Sequence, residues 1–83
     1  MSANYNNKKE LVKILSEVNC ELYKENKINK IEYKKNTKVL IKTIQGRLKL
    51  SERQIALVGM TVQHKLCVTK LRLCISMLQI NFN

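Results

Sequence analysis

From residue 11 onward, apolar side chains recur at three- and four-residue steps: Leu11, Ile14, Leu15, Val18 and Leu22. At 100° per residue these positions share one face, so the segment predicts an amphipathic helix from about Lys8 to Glu25. A second periodic segment runs from Lys30 to Gln45. Tyr33, Leu40, Ile44 and Leu48 are expected on its core side, with Ile41 beside them. The third segment, from about 52 to 79, carries two apolar stripes. Ile55, Val58, Val62, Leu66, Leu73, Met77 and Ile80 form one, and Leu57, Met60, Val68, Leu71, Ile75 and Leu78 form the other, on nearly the opposite side.

The starts of these segments share a local pattern. Asn7 precedes Glu10, Asn29 precedes Glu32, and Ser51 precedes Gln54 by three residues each. In that arrangement the cap side chain accepts from a first-turn amide, and the Glu or Gln reaches back to the cap's own amide. Gly46 supplies the left-handed residue expected to end the second helix. With no proline and only one other glycine, Gly59, the chain lacks the turn residues a small β-fold consumes. The expected fold is all-α: a helical hairpin followed by one long C-terminal helix, in a single domain over 1–83 with a flexible N-terminus at 1–6. A helix over 52–79 would be ~42 Å long against ~24 Å for the second. It could be covered on one stripe only, so the other is expected to seat a second subunit. The interface residues expected from this are Leu57, Met60, Val68, Leu71, Ile75 and Leu78.

Charge changes the picture more than length does. The 83 residues hold 16 Lys and Arg against six acids, all Glu, for a net charge of +10. The excess is concentrated: residues 24–49 carry nine basic and two acidic side chains. Lys30, Lys34, Lys38 and Lys42 step by four along one helical ridge that is expected to flank the apolar face, with Lys35 beside it. Ammonium groups ~6 Å apart suit a phosphate backbone. Such contacts position a protein without reading bases. The residues expected to meet DNA or RNA are therefore Lys27, Lys30, Lys34, Lys35, Lys38, Lys42, Arg47 and Lys49. An ordinary solvated helix face is the bland alternative, and an anionic lipid surface a weaker one because Trp is absent and Phe occurs once.

Catalysis has no foothold in the residue types. There is no Asp, one His, no Gly-rich phosphate loop, and no Ser or Cys with a recognisable base. No catalytic residue, small-molecule substrate, cofactor or metal is expected. His64, Cys67 and Cys74 with Cys20 are poorly spaced for a structural zinc. Three cysteines without a close pair, and no signal peptide, suit a reducing cytoplasm. The longest apolar stretch, 66–80, is interrupted by Lys70 and Arg72 and is too short to span a membrane. A glycine turn at Gly59 would make a helix-turn-helix, with Gln63, Lys65, Thr69, Lys70 and Arg72 facing a groove. The alternative leaves Gly59 inside one helix. Leu50-Ser51, Ile55-Ala56 and His64-Lys65-Leu66 are slightly similar to the Hha/YmoA family of nucleoid-associated modulators. The similarity spans some 17 residues and implies no function for this chain.

Two functions remain on residue type alone. One is a basic helical homo-oligomer that grips nucleic acid as a regulator or accessory factor. The other is a protein-interaction module, such as an inhibitor, immunity or adaptor protein of a phage or plasmid, that binds through the apolar face of its last helix.

Overall fold

The computed structural model describes residues 7–48, 50–63 and 67–80. Among them are four helices and no strand: α1 (Lys8–Lys24), α2 (Lys30–Ile44), α3 (Glu52–Val62) and α4 (Val68–Gln79). The sequence-based expectations for residues 1–6, Lys49, His64, Lys65 and Leu66 fall outside the described residues.

Local chemistry explains the element ends. Asn29 accepts from the Glu32 amide at 2.8 Å, and Asn7 accepts from Lys9, one residue earlier than the box pattern requires. Only Ser51 and Gln54 form the complete reciprocal box. At Asn29 the return bond is missing because the Glu32 carboxylate is bonded to Arg72 of α4 instead. The far ends of α1 and α2 close in the same way. Asn26 (φ 60°) and Gly46 (φ 72°) adopt the left-handed conformation. The next residue's amide then returns to the third-last carbonyl, Lys27 to Leu22 and Arg47 to Lys42. A Cβ on Gly46 would meet nothing within 4 Å, so the cost of filling it is backbone strain alone. Gly46→Ala is expected to lower stability by about 1–2 kcal/mol in urea unfolding. An unchanged midpoint would contradict the left-handed cap.

The long C-terminal helix expected from sequence is two helices. α3 ends at Val62, and α4 begins again after Cys67, which is fully extended (φ −120°, ψ 179°) and offers no side-chain cap bond. The break lets the chain fold back, so that α3 and α4 pack on each other and on α1. α2 packs on α1 and α4, leaving α2 and α3 at opposite corners without mutual packing. Gly59 is a buried residue inside α3, so the glycine turn required by a helix-turn-helix at that point is absent.

This break also corrects the two-stripe reading. Leu71, Ile75 and Leu78, expected between subunits, are core residues of the chain itself, together with Cys74. Of the other stripe, Val58 and Val62 are buried while Leu73 and Ile80 are exposed. Each half of the segment buries the stripe that faces its neighbours after the fold-back. Burying part of each within one chain removes from water much of the apolar area that had called for a partner. Among the stripe residues expected at an interface, Leu57 and Met60 remain exposed and Val68 is half-buried.

α2 is rotated relative to the expectation as well. Its buried side is Asn36, Val39, Leu40 and Thr43, whereas Ile41 and Ile44 are exposed. Two polar residues can occupy this side because their donor groups are hydrogen-bonded. The Asn36 Nδ2 donates to Asn19 Oδ1 at 2.9 Å, and the Thr43 hydroxyl donates to the Val39 carbonyl at 2.8 Å. Asn19, buried on α1, donates in turn toward the Tyr33 carbonyl and the Thr37 hydroxyl. Tyr23 and Tyr33 stack beside this network with ring centroids 4.4 Å apart.

Candidate nucleic-acid interface

Rotation of α2 decides where its lysines go. With Asn36, Val39, Leu40 and Thr43 turned inward, the 100° step carries Lys30, Lys34, Lys38 and Lys42 to the outward side and Lys35 to the edge that faces α4, and all five are exposed. The ridge therefore stands opposite the buried side and does not flank it, as the sequence had suggested. Lys30 to Lys42 covers ~18 Å at 1.5 Å per residue. Six successive phosphates of one DNA strand span ~17 Å of its axis, about the same length. Ile31, 78% exposed, and Ile41 lie within the lysine rows.

What the lysines lack is a close ion-pair partner, although Lys35 stands near enough to Glu32 for the two charges to attract. None of the five has a carboxylate within 4 Å among the described residues. The one acid of α2, Glu32, is turned to the side and held by Arg72 through two bonds of 2.8 and 2.9 Å. Those bonds, helped by the charges of Arg72 and Lys35, hold its carboxyl below the ordinary range against the opposing push of partial burial. With the folded pKa lowered, the stabilisation from Glu32 is present at neutral pH and is lost as pH falls through that lowered value. Of the other residues expected at the interface, Arg47 is exposed beyond α2, and Lys27 is exposed but paired with Glu25 at 3.3 Å. Lys49 lies outside the described residues.

Two residues matter in ways the sequence did not suggest. Gln54 is buried, and after closing its capping box its Nε2 donates to the Met77 and Ile80 carbonyls, tying the start of α3 to the end of α4. The signal was half present, since the box was legible while its distant partner was not. Arg72, read as a possible groove contact, instead links α4 to α2.

The cysteines divide by environment. Burial pushes the Cys74 thiol up to about 11, whereas Cys67 is exposed at the open start of α4. There the Lys70 amide, helped by that of Thr69, lowers its pKa, although no aligned cap bond forms. Iodoacetamide at neutral pH is expected to modify Cys67 in the folded protein and Cys74 only after unfolding. Peptide mapping that found both modified at equal rates would contradict this packing. No group of three His, Cys, Asp or Glu among the described residues could hold a metal. No described helix is long and apolar enough to cross a membrane.

Comparison with known proteins adds no relative. No family model matches the chain, and no curated protein or solved structure shows significant similarity to it.

Proposed function

We propose that this chain binds nucleic acid through phosphate contacts made by the outward face of α2, as a small regulator or accessory factor. The observation that supports this reading is the set of five exposed lysines along the outward side and one edge of α2, none ion-paired among the described residues. Like charges at four-residue spacing repel by a few tenths of a kcal/mol per pair. An opposing polyanion relieves that repulsion and releases counterions. With five phosphates neutralised, log K against log salt has a slope near −4.5, so affinity falls about 500-fold between 50 and 200 mM salt. Titration of a DNA duplex across that range tests the reading. A slope shallower than about −2 would mean that the ridge does not grip phosphates.

A second reading draws on the opposite corner of the fold. Ala56, Leu57 and Met60 are exposed together along the outward side of α3, Met60 to 63%. That face would seat another protein or a second copy of the chain. Light-scattering mass on a sizing column, with the 260/280 absorbance ratio recorded at about 100 and 500 mM salt, separates the two. Nucleic acid carried at low salt and shed at high salt supports the first reading. A nucleic-acid-free peak at both salts supports the second.

A further inference from the structure

Beside the lysine face, α2 and α4 leave a cleft of about 470 Å³, within the ~300–1,000 Å³ range of ligand sites. Lys35 and Ile31 belong to both features, so a strand laid along the lysines passes the mouth of the cleft. Most of the lining is polar, and each wall contributes one aliphatic side chain, the exposed Ile31 from α2 and the buried Ile75 from α4. Arg72 and Lys35 set two cations at the site, and the Glu32 carboxylate that holds Arg72 through two bonds lines it as well, leaving one net positive charge.

Among the several polar residues of this lining the buried one is Asn36, a side chain only 4% exposed. Its amide nitrogen donates to Asn19, but its carbonyl oxygen accepts from no donor among the described residues. No side-chain polar atom in the described structure is both sealed from solvent and unpartnered, so this oxygen keeps some solvent access, and Asn36 is a lining residue of the cleft. A buried acceptor held in place by a second buried amide, with an isoleucine on each side and a net positive charge beside it, is matched by a ligand with a flat face, a donor-bearing edge and a phosphate.

We infer that the cleft between α2 and α4 receives one unpaired nucleotide. Its base would lie between Ile31 and Ile75 with an amino or imino edge toward Asn36, and its phosphate near Lys35 and Arg72. The inference rests on the phosphate-gripping reading of α2 and narrows it to single-stranded nucleic acid. A base within a duplex is stacked and paired, and reaching the cleft would require flipping it out. A base in a single strand is already free. An isoleucine on each side and a backbone-directed grip predict tolerance of sequence.

The test compares a short oligo-dA strand with its duplex on oligo-dT, using the whole chain and Ser76→Leu. Ser76 lines the cleft yet is exposed on α4, so a larger side chain there fills the mouth without entering the core. The native chain is expected to prefer the single strand by about tenfold. Ser76→Leu should lose that preference and keep its salt-dependent duplex binding. The Asn36 side-chain amide resonance should move when oligo-dA is added to the native chain. Equal affinity of the native chain for both forms, an undiminished preference in Ser76→Leu, or an unmoved Asn36 resonance would overturn the cleft while leaving the α2 contact standing. Failure of both nucleic acids to bind at low salt would overturn the α2 contact itself.

Discussion

Replacing Lys34 and Lys38 together by glutamate is expected to weaken duplex DNA binding by about 100-fold at 0.1 M salt, without loss of helical content. At that salt each neutralised phosphate contributes somewhat under tenfold through counterion release, and reversing the charge adds repulsion to the loss of two contacts. Both side chains are exposed and neither has a carboxylate partner among the described residues, so the fold gives up no ion pair. The new glutamates instead stand four residues from Lys30 and Lys42. Opposite charges at that spacing stabilise a helix by ~0.2–0.5 kcal/mol per pair. Affinity and stability should thus move in opposite directions, which separates a binding role from a structural one. A variant that kept its affinity would remove the lysine face as the site.

The second large effect concerns the core. Leu71 is completely buried where α4 meets its neighbours. Leu71→Ala should cost about 3 kcal/mol through lost transfer energy and the cavity left behind. For a chain of this length, total stability is of order 4–12 kcal/mol. The thermal midpoint is therefore expected to fall by roughly 12–24 °C. Because Leu71 is covered by its own chain, Leu71→Ala should lower the midpoint without changing the mass measured by light scattering on a sizing column. A variant that dissociated a native oligomer while keeping its midpoint would place Leu71 between subunits, as the two-stripe pattern alone had suggested.

α1 was legible in sequence almost to the residue, since Leu11, Leu15 and Leu22 keep strict helical spacing and Asn7 marks the start. The bounds of α2 were legible for the same kind of reason, Asn29 at one end and Gly46 at the other. Its rotation was not. Apolar pattern alone points Ile44 inward, and nothing near Asn36 in sequence reveals that Asn19, 17 residues away, will satisfy its amide. The break before α4 was hidden for a different reason. No glycine or proline occurs between Gln63 and Cys67, and cysteine is not a residue that advertises a helix start. The lysine face was visible as spacing and charge, but its place opposite the buried side depended on the rotation.

By itself the sequence determined the helical class, three of the four helix starts, the caps at Asn29, Gly46 and Ser51, and the concentration of positive charge on α2. These properties depend on residues within one or two turns of each other, where spacing and side-chain chemistry suffice. Only the tertiary structure decided that residues 52–79 fold back on themselves, that Leu71, Ile75 and Leu78 are buried within the chain, and that α2 turns Asn36 inward and its lysines out. Those outcomes depend on which distant groups cover an apolar stripe or complete a buried hydrogen bond, and that pairing is set by packing between helices.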